Sequence, residues 1–285
     1  MTRSTSFNDW LRHATAPVEA VLLDIDGVLL NSKRRLPGSR KLVDILTARG
    51  LAYLLVTNDG NHSTEEKAGR LQEAGLPISR DHIVSCGHAI APLVHASGLD
   101  GQLFFVMGDT GTPCYAETAG LQVTRDLRQL KRCAGVIVGE ENYEWEPVIN
   151  AVINYFIDRP AAPLIIPNPD EFYPAPELTI HVAAGGIGRF MQRVLDTYGV
   201  PLAPTYLGKP YPPVFQLAHD KLMKMAGRPI ASQKIVMVGD NLSADIAGGK
   251  AMGYTTALML SGVTSAASLE TAGPDEIPDM VFEGL

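Results

Sequence analysis

Two aspartates stand two positions apart near the start of the chain, in the segment Asp24-Ile25-Asp26-Gly27. Asp24 closes an apolar run, Glu19–Asp24, whose length is typical of a β-strand, and Asp26 follows two residues later. Side chains at positions i and i+2 of a strand point to the same side, so both carboxylates should leave the strand end together. Close carboxylates repel each other unless a cation or a shared proton relieves them, and a hard cation such as Mg²⁺ prefers oxygen ligands. The pattern therefore indicates a metal or acid–base site, with a solvated turn as the alternative.

Hydrogen-bond donors follow the next apolar run in the same way. The segment Leu51–Val56 has the length and composition of a strand, and Thr57-Asn58 comes directly after it. A hydroxyl and an amide at that position could bind phosphate oxygens. A turn closed by an Asx hydrogen bond is the alternative interpretation of the same two residues.

A second acidic cluster is indicated near the end of the chain. The apolar run Ile235–Gly239 leads into Asp240-Asn241, and Asp245 comes five residues after Asp240. Asp245 could belong to this cluster or could simply stabilise the start of the following helix through the helix dipole. Lys209, in a Gly-Lys-Pro sequence, could offset the acidic residues and bind an anion, or it could be an ordinary solvated lysine.

Strand-length apolar runs alternate with helical patterns along the chain. Ser39–Arg49 carries apolar residues at helical spacing, and a Ser-x-x-Glu capping box at Ser63 predicts the start of the next helix. Near the end, Leu242–Met252 predicts a helix and Tyr254–Leu260 a strand. Apolar strands separated by helices imply a parallel sheet covered on both faces. Ligand sites of such sheets lie at the carboxyl ends of the strands, which is where the polar clusters are expected.

The middle of the chain has an α/β alternation of its own. Its strand and helix candidates are Gln102–Met107, Ala134–Val138, Pro147–Ile157, Pro163–Ile166 and Ile187–Tyr198. We therefore expect a core domain formed by residues 1–85 and 205–285 and an inserted α/β domain formed by residues 86–204.

Composition and charge are those of an ordinary globular protein. The 285 residues are 46% apolar and 19% charged, and 24 basic against 31 acidic residues give a net charge of −7. This balance argues against a nucleic-acid partner, which requires a basic surface. No apolar run approaches the roughly 18 residues of a membrane span, and Met1–Trp10 lacks the apolar stretch of a secretory signal. Cys86, Cys114 and Cys133 fit no zinc spacing, so we expect buried thiols in a cytoplasmic protein.

The order of the polar clusters resembles that of the haloacid dehalogenase (HAD) superfamily of phosphatases. The family's four motifs correspond here to Asp24–Gly27, Thr57–Asn58, Lys209 and Asp240–Asp245. The long insert resembles the cap of the type IIA, NagD-like branch, and Asn168-Pro169-Asp170 is similar to a segment of those caps. The DIDGVLL start and the Thr-Asn-x-Gly loop at residues 57–60 most resemble the branch that contains the cat-eye-syndrome critical-region protein. The resemblance covers the chain beyond residue 18 and implies an α/β fold, a Rossmann-like parallel-sheet core with an inserted α/β cap.

The resemblance also implies roles for individual residues. Asp24 would be the nucleophile that forms an aspartyl-phosphate, and Asp26 would be the general acid and base. Mg²⁺ would be held by Asp24, by Asp26 through its backbone carbonyl, and by Asp240. The phosphate-binding residues that the resemblance implies are Gly27, Thr57, Asn58 and Lys209. Asn241 and Asp245 would support the site.

The function implied is Mg²⁺-dependent hydrolysis of a small phosphorylated metabolite, a phosphate monoester. One alternative is a catalytically weak phosphometabolite-binding or regulatory protein, and another is a different HAD reaction such as dehalogenation or phosphonate cleavage. Intact Asp24 and Asp26 disfavour the first, because a binding protein needs no nucleophile. Asp26 disfavours dehalogenation, because a leaving halide needs no proton. Related proteins often pair through their caps, so a homodimer is expected, with neither a nucleic acid nor a membrane as partner.

One position departs from the NagD-like pattern. Many members of that branch carry Asn or Ser after Thr-Asn, whereas this chain continues Asp59-Gly60-Asn61-His62. A carboxylate that faced the phosphate pocket would repel an anionic substrate. The orientation of Asp59 therefore bears on the phosphate contacts and on the substrate class.

Overall fold

The computed structural model describes residues 2–14, 17–175 and 179–285, and the chain forms two compact units. The first unit comprises the chain up to Thr57 together with Thr64–Val84 and Lys209–Leu285, and the second comprises Asn58–Ser63 and Ser85–Gly208. Two segments that the sequence analysis assigned to the core domain, Asn58–Ser63 and residues 205–208, thus pack with the second unit. None of the described helices is long and apolar enough to cross a membrane.

The described strands and helices are short and alternate along most of the chain. The strands are β1 (Thr2–Ser6), β2 (Ala20–Leu23), β3 (Leu30–Asn31), β4 (Arg34–Arg35), β5 (Ala52–Thr57), β6 (Ile83–Ser85), β7 (Leu103–Met107), β8 (Gln122–Thr124), β9 (Gly135–Val138), β10 (Leu164–Ile166), β11 (Phe172–Ala175), β12 (Thr179–Val182), β13 (Thr205–Tyr206), β14 (Ile235–Gly239), β15 (Thr255–Met259) and β16 (Met280–Gly284). The helices are α1 (Phe7–His13), α2 (Ser39–Ala48), α3 (Thr64–Glu73), α4 (Ile90–Ala96), α5 (Tyr115–Thr118), α6 (Trp145–Asp158), α7 (Ala184–Tyr198), α8 (Pro212–Ala226), α9 (Gly248–Ala251) and α10 (Ala266–Glu270).

A seven-stranded sheet in the order β1-β16-β15-β14-β2-β5-β6 organises the first unit. The pairings from β1 to β5 along this order are parallel, and Leu23 of β2 lies opposite Val238 of β14 on one side and Leu55 of β5 on the other. The carboxyl ends of these three strands therefore lie side by side. The α/β fold with a parallel sheet is confirmed.

Strand β2 is buried on both faces of this sheet. Val21 and Leu23 belong to one hydrophobic cluster, whereas Ala20 and Leu22 belong to another that includes Phe215 of α8. Successive side chains of a strand point to opposite faces, so the two clusters cover the two sides of the sheet. The continuous apolar sequence of β2 is what a strand covered on both faces requires.

A five-stranded parallel sheet in the order β13-β10-β9-β7-β8 organises the second unit. The chain passes from β7 to β8 on one side and then to β9 on the other, so the strand order reverses between β7 and β9. Such reversals leave a crevice at the carboxyl ends of the strands, where ligand sites of α/β sheets usually lie. An antiparallel hairpin, β11–β12, precedes α7 in the same unit.

Several elements differ from the predicted ones, and three of these differences are informative. Helix α7 begins at Ala184 rather than at Ile187, because the intervening glycines carry no apolar side chains that would reveal the helical period. The segment predicted as a single helix from Leu242 to Met252 begins with a π-helical turn, Leu242–Ala247, before α9. The β11–β12 hairpin was not predicted. Proline is uncommon within a strand, and β11 contains Pro174. The described residues of the hairpin are also largely exposed, so they form no apolar run.

Candidate active site

Two aspartates follow neighbouring strands of the first unit. Asp24 comes directly after β2, and Asp240 comes directly after β14. The backbone N–H of Asp24 donates to the carbonyl of Val238 at 2.9 Å, which extends the pairing of the two strands by one residue. Parallel strands end at the same edge of a sheet, so Asp24 and Asp240 lie at that edge together.

A buried lysine joins Asp24 to a third aspartate. The side chain of Lys209 is only 2% exposed, and its Nζ lies 2.9 Å from Asp24 Oδ1 and 2.6 Å from Asp245 Oδ1. Burial by itself would lower the pKa of Lys209, but the carboxylates of Asp24 and Asp245 outweigh burial and raise that pKa. Lys209 is therefore a permanent positive charge within the cluster and not a solvated surface lysine.

Asp24 and Asp240 are held in an environment that disfavours their charge. Burial raises the pKa of Asp24 well above its usual value, Lys209 opposes this rise, and Asp245 and Asp240 add to it. Burial also raises the pKa of Asp240 to about 7, with a further contribution from Asp245. Three carboxylates face one ammonium group, so the cluster favours either an added proton or an added cation.

The cluster has the chemistry of a divalent-cation site. One oxygen each from Asp24, Asp240 and Asp245 lies within 4.8 Å of the other two. Oxygen donors with an excess of negative charge suit a hard divalent cation. The sequence analysis gave Asp245 only a supporting role, yet its carboxylate belongs to this group.

Gly27 allows the chain to approach Asp240 closely. Its φ is +77°, in the left-handed region that favours glycine, and a Cβ there would lie 2.1 Å from Asp240 Oδ2. The same Oδ2 accepts a hydrogen bond from the backbone N–H of Val263 at 2.6 Å, and the carbonyl of Gly27 accepts one from Ser261 Oγ at 2.7 Å. The contact between Val263 and Asp240 was not predicted, because Val263 donates through its backbone and leaves no side-chain signal in the sequence.

Asp26 occupies the turn that follows Asp24. Its side chain is exposed, and the turn is closed by hydrogen bonds from Gly27 N to the Leu30 carbonyl and from Leu29 N to the Ile25 carbonyl. The two aspartates of the Asp-x-Asp pattern thus differ in environment, because Asp24 lies in the buried cluster and Asp26 meets solvent.

Asn241 fixes the orientation of Asp245. The side-chain Oδ1 of Asn241 accepts hydrogen bonds from the N–H groups of Ser243 and Ala244, both at 3.1 Å, and so caps the π-helical turn. The backbone N–H of Asn241 donates to Asp245 Oδ2 at 3.1 Å. One oxygen of Asp245 is therefore held by Asn241 and the other by Lys209.

Thr57 and Asn58 lie on either side of the boundary between the two units. Thr57 is the buried last residue of β5 in the first unit, and Asn58 begins the segment assigned to the second. Asn58 Nδ2 donates to Asp170 Oδ1 at 3.1 Å, and the Asn58 carbonyl accepts from Cys86 Sγ at 3.1 Å. The Asx turn considered for Thr57-Asn58 is formed by the next residue instead.

Asp59 folds back onto its own loop. Its Oδ1 accepts hydrogen bonds from the backbone N–H groups of Asn61 at 2.9 Å and His62 at 3.1 Å, and its Oδ2 lies 3.0 Å from His62 Nδ1. The residue that departs from the NagD-like pattern thus has a local structural role as an Asx turn.

The second unit holds a buried carboxylate that the sequence analysis did not single out. Glu140 follows Gly139 after β9 and is 4% exposed, and burial raises its pKa to about 7. A small cavity of about 10 Å³ adjoins it, lined among others by Asn61, Asn168 and Ala184. Glu140 could have been found by the pattern that identified Asp240. In both cases an apolar run ends in a glycine, and an acidic residue follows that glycine.

Comparison with known proteins reveals similarity over most of the chain. A model of the family described as "Haloacid dehalogenase-like hydrolase" matches residues 21–122, and a model of HAD-hydrolase-like proteins matches residues 206–285. The ribonucleotide monophosphatase NagD of Escherichia coli K12 is 29% identical over 253 residues, which are 87% of this chain and 90% of that protein. Dihydroxyacetone phosphatase of Corynebacterium glutamicum is 27% identical over 249 residues, covering 87% of this chain and 83% of that protein.

Solved structures share the fold as well. A protein of Cytophaga hutchinsonii, described as a "possible sugar phosphatase, HAD superfamily", aligns with a TM-score of 0.83 and 27% identity. The alignment covers 100% of this chain and 98% of that one. The similarity thus includes both units.

Proposed function

The chain belongs to the haloacid dehalogenase-like hydrolases, among the NagD-like phosphatases, and we propose that it is a Mg²⁺-dependent enzyme that hydrolyses a small phosphate monoester. The observation that carries this proposal is the buried cluster of Asp24, Lys209, Asp240 and Asp245. It combines a carboxylate that can attack phosphorus with a fixed positive charge 2.9 Å away. A dianionic phosphate needs such positive charge to approach a carboxylate.

Asp24 is the proposed nucleophile. One of its oxygens attacks phosphorus and forms an aspartyl-phosphate while the alcohol leaves, and water then attacks phosphorus and releases inorganic phosphate and free Asp24. Attack requires the ionised carboxylate, which Lys209 favours against the effects of burial and of the other two aspartates. The Asp24 side chain is 14% exposed, so it is accessible to a substrate.

Asp26 is the proposed general acid and base. It donates a proton to the leaving oxygen and then accepts one from the attacking water, and its solvent exposure allows this exchange. Thr57, Asn58 and Lys209 would bind the phosphoryl oxygens. Gly27 would belong to the phosphate-binding turn, where the lack of a side chain lets the backbone approach Asp240.

We assign the divalent cation to Mg²⁺. Asp24 and Asp240 would hold it together with the backbone carbonyl of Asp26, and their oxygens suit a small hard cation. When bound, the cation would neutralise charge on the phosphoryl group and on the nucleophile. Asp245 would hold Lys209 in position through their 2.6 Å contact.

The proposed substrate class is a small phosphorylated metabolite. One relative is named a ribonucleotide monophosphatase and another a dihydroxyacetone phosphatase, so their shared feature is release of phosphate from a small molecule. The buried thiols of Cys86, Cys114 and Cys133 support a role in the reducing cytoplasm.

Release of phosphate from 4-nitrophenyl phosphate tests the proposal. We expect turnover with Mg²⁺ and none in excess chelator. Asp24→Asn is nearly isosteric, so this variant should fold and lose turnover. Asp44→Asn, in an exposed ion pair with Arg40 on α2, is the matched control and should keep wild-type activity. Near-wild-type activity of Asp24→Asn would refute the assignment of Asp24 as the nucleophile. Full activity in excess chelator would refute the requirement for a metal ion.

A further inference from the structure

Glu140 is a buried carboxylate that accepts hydrogen bonds from three separate segments of the second unit. Asn61 Nδ2 donates to its Oε2 at 2.6 Å, while Asn168 Nδ2 at 2.7 Å and the backbone N–H of Ala184 at 3.2 Å donate to its Oε1. All three partners are donors, so the site is built for a carboxylate and not for an amide. Glu140 also follows β9, one of the two strands between which the strand order of this sheet reverses.

Two hydrogen-bonded paths lead from Glu140 back to the loop Asn58–Ser63. The first is the direct bond from Asn61. The second runs through Asn168, whose Oδ1 accepts from the Asp170 N–H at 2.9 Å, and then through Asp170 Oδ1, which accepts from Asn58 Nδ2 at 3.1 Å. Glu140 therefore closes a ring that begins and ends in the loop that carries Asn58.

The backbone of that loop is held independently of Glu140. Ser85 Oγ donates to the Asp59 carbonyl at 2.7 Å, and Cys86 Sγ donates to the Asn58 carbonyl at 3.1 Å. Farther along the loop, Gly111 N donates to the Asn61 carbonyl and Tyr115 Oη to the His62 carbonyl, both at 3.0 Å. A change at Glu140 should therefore alter the side-chain orientation of Asn58 more than the path of the loop.

We propose that Glu140 is a positioning residue that sets the orientation of the Asn58 amide for phosphate binding. This inference rests on the proposed function, in which Asn58 binds a phosphoryl oxygen. An amide nitrogen carries two hydrogens in one plane. The bond to Asp170 fixes that plane, and thus fixes the direction of the second N–H.

Glu140→Gln tests the inference, because the new amide places an NH₂ group opposite one of the three donors. With 4-nitrophenyl phosphate and Mg²⁺, we expect kcat/KM to fall about tenfold, mostly through KM, and the inhibition constant of inorganic phosphate to rise in parallel. Glu141→Gln is the matched control, because this neighbouring carboxylate is exposed, and its kcat/KM should stay within about twofold of wild type.

A double-mutant cycle with Asn58→Ala separates positioning from a general structural role. If Glu140 acts through Asn58, the double variant should be no worse than Asn58→Ala alone. If the two losses multiply, or if Asn58→Ala has no effect, the inference is wrong while the proposed phosphatase function stands. If the wild-type protein releases no phosphate, the proposed function itself is wrong and the inference fails with it.

Asp170→Ala provides a second test should Glu140→Gln fail to fold, as judged by circular dichroism. It interrupts the same path at a half-buried residue and leaves Glu140 in place. We expect the same rise in KM and the same lack of additivity with Asn58→Ala. Independent, multiplying losses in this cycle would overturn the proposal.

Discussion

Lys209 determines the charge balance of the first unit. Its ammonium group contacts Asp24 and Asp245, and Asp240 shares the same buried cluster. Removing one partner of a buried ionic group usually costs more than the group contributes intact, because charge is left without compensation. We therefore expect Lys209 both to stabilise the folded protein and to bind phosphate.

Lys209→Met should lose phosphatase activity and lower the free energy of unfolding by about 3–5 kcal/mol. The methionine keeps much of the side-chain volume but leaves the carboxylates of Asp24, Asp240 and Asp245 without a cation. Mg²⁺ should restore part of the lost stability, which denaturant titrations with and without the ion would measure. Lys224→Met, at an exposed position of α8, is the matched control and should be neutral. If Lys209→Met were as stable as the wild type without metal, Lys209 would not be needed to compensate the charge of the three aspartates.

The stability of the metal-free protein should fall as the pH rises from about 4 to about 7. Burial raises the pKa of Asp240 from 3.8 to about 7, so in this range the folded protein binds a proton that the unfolded chain has lost. Stability conferred by that proton is complete below the unfolded pKa and lost as the pH passes the folded one, a change of a few kcal/mol.

Denaturant unfolding at several pH values measures this dependence. Asp240→Asn should weaken this pH dependence, because an amide does not titrate, while Asp24, whose pKa burial also raises, keeps part of it. Saturating Mg²⁺ should oppose the fall in stability by stabilising the ionised carboxylates. Glu140, with a pKa of about 7, contributes a metal-independent share of the same sign. A pH dependence identical in wild type and Asp240→Asn would refute the assignment to Asp240.

At the scale of elements, strands were predictable where apolar runs end in polar residues. Strands β2, β5 and β14 were identified from such runs, and Asp24, Thr57 and Asp240 stand at or directly after their ends. Contacts made by backbone groups were not predictable, as the bond from Val263 N to Asp240 illustrates. The partner of Asn58 was equally hidden, because Asp170 is distant in sequence and only folding brings the two together.

The assignment of Asn58–Ser63 to the second unit also lay beyond sequence reasoning. The loop directly follows a strand of the first unit, so its position along the chain favours the core domain. Its hydrogen bonds instead go to Ser85, Cys86, Gly111 and Glu140, all of the second unit. Long-range side-chain and backbone bonds of this kind leave no periodic pattern in the sequence.

Gly208→Ala should disturb the close packing of the segment before Lys209 against Asn58. A Cβ at this position would lie 2.5 Å from Asn58 Oδ1 and 2.8 Å from the Pro167 carbonyl, so the backbone or Asn58 must shift. We expect a higher KM for 4-nitrophenyl phosphate with a smaller change in kcat, measured by steady-state kinetics. Gly69→Ala is the control, because it lies in α3 with no atom within 4 Å of the added Cβ, and helix propensity makes it neutral or stabilising. Unchanged kinetics in Gly208→Ala would argue against a role for Asn58 in phosphate binding.

At the scale of the whole molecule, the two units follow one architectural rule. Each has a parallel sheet, and each places a buried acidic residue near the carboxyl end of a strand. Asp240 follows β14 directly, and Glu140 follows β9 after Gly139. The proposed roles differ, because Asp240 lies in a cluster with excess negative charge whereas Glu140 is surrounded by hydrogen-bond donors. Chemistry is thus assigned to the first unit and positioning to the second.

Trapping of a phosphorylated enzyme tests the central claim, nucleophilic attack by Asp24, most directly. The Asp26→Asn variant should form the intermediate with 4-nitrophenyl phosphate, whose leaving group needs little protonation, and should hydrolyse it slowly because the general base is missing. We predict a stoichiometric burst of nitrophenolate and, after acid quenching, one hydroxylamine-sensitive phosphoryl group on the peptide that contains Asp24. Asp24→Asn combined with Asp26→Asn should give neither. A phosphoryl group on a different residue, or turnover by the variant that lacks Asp24, would contradict the account.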